Sequence, residues 1–128
     1  MSYLREVKRM HDVERIRKML LKLMDEITAI EGIIAISRDG NIISSESISR
    51  SPSETTLMKL AKIVQELDSL SRELGKGMVK EVHLVGDEGY VIIASSPTLS
   101  LIALAGSDAR AQLGLIMMNL RKIFNILA

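Results

Sequence analysis

Residues 51 to 75, SPSETTLMKLAKIVQELDSLSRELG, constrain the fold more than any other stretch, because helix start, helix stop and apolar periodicity all fall within them. Ser51 suits an N-cap, Pro52 the first helical position, and Glu54 the place from which a capping-box carboxylate reaches back to the cap amide. Gly75 can take the left-handed conformation that satisfies the last carbonyls, and Gly77 follows it, so the helix is expected to stop there after about six turns. At about 100° per residue, Leu70, Ile63, Leu74, Leu67, Leu60, Val64, Leu57 and Ala61 form one apolar arc around roughly half the circumference. A helix lying on a single sheet needs a narrower stripe. The surplus width fits a second apolar surface along one edge, most simply the same helix across a two-fold axis; a broad helix in a monomer core accounts for it as well.

At 128 residues the chain has the length of one domain with a core of its own. It contains no cysteine, which excludes a disulfide framework and thiolate metal ligands and fits a reducing, cytoplasmic setting. No apolar run approaches the roughly 18 residues of a membrane span. The start, MSYLREVKRMHD, lacks the apolar core of a secretion signal. A formal net charge of +1, with Tyr3, Tyr90 and Phe124 as the only aromatics, argues against nucleic-acid recognition, which needs a basic surplus and stacking side chains. Charge is uneven only near the start, where Arg5, Lys8, Arg9, Arg15, Arg17, Lys18 and Lys22 outnumber Glu6, Asp12 and Glu14. A solvated helix face explains this more simply than an anionic docking patch.

Val13, Ile16, Leu20, Leu23, Ile27 and Ile30 keep a three-four spacing, which predicts a helix over residues 13–30 with Asp12 as N-cap and Gly32 as stop. Residues 1–11 stand outside that stripe and read as a frayed extension, ahead of a separate turn or a partner-binding arm. Ile33 to Ser37 and Asn41 to Ser45 flank Arg38-Asp39-Gly40, a strong hairpin signal. Three further strands, Val79 to Val85, Tyr90 to Ser95 and Leu99 to Leu104, follow with short turns between them, and Asp108 is expected to cap a last helix through Leu113, Ile116, Leu120, Ile123 and Leu127. The order is αββαβββα, an α+β fold. Ile33–Ile36 and Leu101–Leu104 are nearly continuous apolar runs, as central strands require, while strands two and three carry the polar residues of edges. Joining strand one to strand five gives a five-stranded antiparallel sheet of order 2-1-5-4-3, with the central helix on one face and both terminal helices on the other.

Glu31-Gly32-Ile33, the Ser37-Arg38-Asp39-Gly40 hairpin, the glycine-closed central helix, and Leu101 to Ala109 running on to Leu113-Gly114-Leu115 together resemble the Roadblock family, the dynein light chain and Mgl-type GTPase-regulator domain. The resemblance spans residues 13 to 127; one domain is drawn over residues 12–128, with residues 1–11 as an N-terminal extension. It implies a profilin-like sheet and a homodimer. The central helices would meet through Leu57, Leu60, Ile63, Val64, Leu67 and Leu70, and the third strand, with Lys80, Glu81, Val82 and His83, could extend the sheet. It further implies a non-catalytic regulator that binds a small Ras-like GTPase and modulates its nucleotide state; the alternative is a structural adaptor that joins larger assemblies without sensing nucleotide. For the GTPase contact, the residues of the central helix that point away from its apolar arc are expected: Met58, Lys62, Gln65, Ser69 and Arg72.

Catalytic and ligand readings find little support in the residues. His11 and His83 are the only histidines, no Gly-x-Ser-x-Gly elbow exists, and no cofactor or metal is expected. Gly75-Lys76-Gly77 follows a helix instead of linking a strand to one, so it reads as a helix stop and not a phosphate loop. Asp87-Glu88 between glycines reads as a hairpin turn. Arg38, Arg50 and Arg72 are the accessible arginines for insertion into a partner's active site; each is more simply a solvated residue, and none is assigned. Gly114 interrupts the last helix, where its own sheet is expected to come close, with a partner as the alternative; Met117 and Met118 beside it suit core gaps or a variable partner surface.

Overall fold

A computed structural model describes the chain from residue 2 to residue 127, with side chains from residue 12 onward. The elements run α1 (Ser2–Glu26), β1 (Ile30–Ser37), β2 (Ile42–Ser47), α2 (Glu54–Glu73), β3 (Glu81–Gly86), β4 (Gly89–Ser95), β5 (Leu99–Gly106), a 3-10 segment (Ser107–Gln112) and α3 (Leu113–Leu127). The strands form one antiparallel sheet of order β2-β1-β5-β4-β3, as the apolar runs of the central strands require.

Alternation along the strands divides the core into two layers. Ile33, Ala35, Ile92, Ala94, Leu101 and Ala103 face α1 and α3, meeting Ile16, Leu20, Leu23, Ile116, Leu120 and Ile123. Ile34, Ile36, Ile93 and Ile102 face the other way, toward Ala61 and Val64 of α2. Asp39-Gly40 makes the β1–β2 turn, with Ser37 N–H donating to the Asn41 carbonyl at 2.8 Å. Gly40 has φ +94°, and a Cβ there would sit 3.1 Å from Gln65 Nε2. Glycine is required there for the left-handed turn, and a side chain would also press on the end of Gln65.

Several local expectations are corrected. The cap of α2 is Ser53 rather than Ser51: its backbone is extended and its hydroxyl accepts from Thr56 N–H at 3.2 Å, so Pro52 precedes the cap. Helix α1 begins at Ser2, and Asp12 lies inside it. The same helix ends at Glu26, and Gly32 sits within β1 opposite Ser47 and Leu104. Ile27 and Ile30 keep the helical spacing, yet Ile30 is needed as the first strand residue, paired with Ala105. Asp108 opens no α-helix; it lies in the 3-10 segment, and α3 starts at Leu113. Gly114 is exposed, with no atom within 4 Å of where its Cβ would be, so its own sheet does not come close.

Candidate interaction surface

Of the broad apolar arc of α2, the sheet takes up one edge. Ala61 and Val64 are buried, and Leu57 and Leu60 are half-buried against the same layer. Along the other edge Ile63, Leu70 and Leu74 remain 40%, 50% and 66% exposed, with Leu67 half-buried between them. So large an exposed apolar strip on a capped, regular helix is unusual unless something covers it. Val64 belongs to the protomer's own core. Met58, Lys62 and Ser69 are exposed.

Strand β3 is an open edge of the sheet. Lys80, Glu81 and His83 are exposed and Val82 is half-buried; Leu84 and Val85 are exposed too, and the sequence reading did not single them out. Pairing assigns the two faces of β3. Val82 and Leu84 lie opposite Ile93 and Val91 on the α2 side, whereas Glu81 and His83 lie opposite Ala94 and Ile92 on the α3 side. Arg121 of α3 pairs with Glu81 there.

Polar contacts add to the apolar layer that holds α2 against the sheet. Asp68 Oδ1 accepts from Val79 N–H at 2.9 Å, and Oδ2 meets Arg38 Nη2 at 2.9 Å and Arg72 Nε at 3.0 Å. Arg38 also donates to Ser100 Oγ at 3.4 Å, and Gln65 Nε2 donates to the Arg38 carbonyl at 3.3 Å. The Val79 amide is the largest influence holding the Asp68 carboxyl at about 2, below its usual 3.8; the Arg72 and Arg38 guanidiniums add to it against the opposing effect of desolvation. One carboxylate thus ties the helix to the β1–β2 hairpin and to the segment that leads into β3.

This cluster changes the reading of three candidate residues. Arg38 is mostly covered and engaged by Asp68, so it is not a free residue on a hairpin tip, and Arg72 and Gln65 are likewise tied within the protomer. Asp68 itself was missed. Its four-residue spacing from Arg72 was the one signal available, since Arg38 and Val79 meet it only in the folded chain. The cleft of about 200 Å³ beneath the hairpin is lined by these mutually satisfied groups. Among the described residues, no group of three or more His, Cys, Asp or Glu side chains is arranged to hold a metal ion.

The sheet is thus covered on both faces and open along β3, with one edge of α2 left exposed. The chain belongs to the Roadblock/LC7 domain family, whose model matches residues 16–105. Solved structures agree in fold. MglB of Myxococcus xanthus superposes with a TM-score of 0.70 at 17% identity, covering 91% of this chain and 92% of that one. The gliding protein MglB of Thermus thermophilus gives 0.70 at 17% identity, covering 85% and 82%. A Roadblock/LC7 domain of Streptomyces avermitilis gives 0.65 at 21%, covering 87% and 96%. No curated protein matches the chain in sequence.

Proposed function

We propose that this chain is a non-catalytic homodimeric regulator whose dimer binds a small Ras-like GTPase and shifts its nucleotide state. The observation that carries the reading is the exposed edge of α2, Ile63, Leu70 and Leu74, in a molecule whose edge strand β3 is also open. A two-fold partner that brings its own α2 and β3 covers both at once, removing an apolar strip and an unpaired sheet edge from water. Leu57, Leu60 and Leu67 border that contact, with Val64 supporting it from the core. Lys80, Glu81, Val82 and His83 supply the strand part.

Membership of the Roadblock/LC7 family and the sequence resemblance to Mgl-type regulators support a GTPase as the partner. Paired helices would present Met58, Lys62 and Ser69, with Gln65 and Arg72 as their tethered neighbours. Such a platform acts by binding one conformation of the switch loops more tightly than another, which requires differential affinity and no chemistry of its own. No helix of the described residues is long and apolar enough to cross a membrane. We place the protein in the cytoplasm, with a single domain over residues 12–128 and residues 1–11 as an N-terminal extension.

The test is a pull-down from native extract with GDP or a non-hydrolysable GTP analogue in excess. Retention of a small GTPase in one nucleotide state supports the reading. Nucleotide-independent partners without a GTPase would replace it with a structural adaptor.

A further inference from the structure

The hydrogen-bonding pattern of β3 limits how a second copy can add to it. Gly86 and Gly89 close a two-residue turn, and Ser95 N–H donates to the Lys80 carbonyl at 2.8 Å. In an antiparallel ladder bonded residues alternate with unbonded ones. Lys80, Val82 and Leu84 therefore direct their backbone groups toward β4, while Glu81, His83 and Val85 direct theirs to the open edge. A second β3 arriving antiparallel across a two-fold axis must offer the same outward set. Odd-numbered residues then oppose odd ones on the α3 side, and even-numbered residues oppose even ones on the α2 side.

Within that parity, side-chain chemistry separates the registers. Centring the axis on Glu81 places two carboxylates face to face, and centring it on His83 opposes two imidazoles. Centring it on Val82 sets Glu81 of each copy opposite His83 of the partner subunit, twice over, and Val82 against its own copy. Opposite charges directly across a ladder stabilise it and like charges oppose it.

We propose that β3 pairs with β3 of a second copy in the register centred on Val82, and that the two Glu81–His83 cross-pairs make this association tighten as pH falls through the histidine range. The proposal rests on the two-fold dimer put forward above. His83 has around it Glu81 on its own strand, the uncharged Ile92 on β4, and Arg121 on α3 at one remove, held by Glu81. The partner subunit's Glu81 is the added charge. Each carboxylate then lies between a guanidinium and an imidazolium and can accept from both. A carboxylate directly opposite attracts the imidazolium and not the neutral ring, so the cross-pairs strengthen the association as pH falls and weaken it as pH rises.

Two exposed pairs of ordinary surface strength predict a dissociation constant about three- to tenfold lower at pH 5.5 than at pH 8. Sedimentation equilibrium at the two pH values reads this directly. His83→Gln is expected to abolish the difference, and His11→Gln to leave it intact. Because the chain has no cysteine, the register can be read independently by oxidising single-cysteine variants. Val82→Cys places two thiols across an unbonded pair within disulfide reach, while His83→Cys leaves them diagonal and out of reach.

Rapid cross-linking of Val82→Cys, together with tighter association at low pH, is the expected result. A dimer cross-linked through His83→Cys, or one that weakens as pH falls, overturns the register but keeps the dimer. A dimer cross-linked by neither variant likewise overturns the Val82 register and moves the axis to another residue or off β3. A monomer at both pH values overturns the underlying dimer reading.

Discussion

On the α1 and α3 side of the sheet, Leu20, Ile30, Ile33, Leu101, Ile116 and Leu120 are fully enclosed; on the α2 side the helix contributes only Ala61 and Val64 to the buried set. The sheet buries its side chains on both faces, but α2 commits fewer of its own residues to the core than α1 and α3 do. Position on the second face comes from specific polar ties: the Ser53 cap, the Gln65 bond to the hairpin and the triply engaged Asp68. A helix anchored by its end and its polar edge can be placed accurately while its apolar edge stays open. The first face stabilises the fold, and the second leaves the surface on which the proposed dimer depends.

Truncating each face separately tests that division. Leu120→Ala, on the enclosed side, is expected to destabilise by about 3 kcal/mol through lost burial and a residual cavity. Urea denaturation at fixed protein concentration measures it, and a loss under about 1 kcal/mol would remove the distinction between the faces. Asp68→Asn is expected to cost roughly 2 kcal/mol, because its carboxyl is held at about 2 instead of 3.8. A lowered carboxylate pKa contributes stability that is present above the ordinary value and lost as pH falls through the folded one. Stability of the native chain should therefore drop between about pH 4 and pH 2 by more than that of the Asn variant.

Smaller effects probe the end and the open edge of α2. Ser53→Ala should cost about 1 kcal/mol, whereas Ser51→Ala, at the position the sequence favoured, should leave the unfolding midpoint in place. Replacing Leu70 and Leu74 together by Ser should change protomer stability by no more than about 0.5 kcal/mol. It should nevertheless abolish the rise of the melting temperature with protein concentration that a dimer displays. A large loss at low concentration would place those two leucines in the protomer core after all.

Topology was legible because its determinants are local or compositional. Asp39-Gly40 marks one hairpin, and Ile33–Ile36 with Leu101–Leu104 identify the strands that must lie at the centre. The surplus apolar width of α2 was visible for the same reason, and its exposed edge is where Ile63, Leu70 and Leu74 now lie. Helix ends were less legible. Ser51 and Ser53 are equally good caps in isolation, and only the folded backbone puts Ser53 in capping geometry. Ile30 satisfies a helical stripe and a buried strand equally well, so periodicity could not say that α1 had already ended. The Asp68 cluster was hidden because Arg38 and Val79 reach it only after the sheet has formed.

The central pairing of β1 with β5, Ile34 beside Ile102 and Ile36 beside Ser100, joins segments from opposite ends of the chain. During synthesis, residues 30–37 can pair with β2 almost at once but must wait for residues 99–106 before the sheet becomes continuous. Closing so long a loop precedes any gain from the strands it unites, which makes folding slower than the short hairpins alone would suggest. Until β5 emerges, β1 and β4 each expose an apolar strand edge suited to pairing with another nascent chain. A ribosome stalled before residue 99 would therefore hold a chain prone to joining its neighbours through the wrong strands.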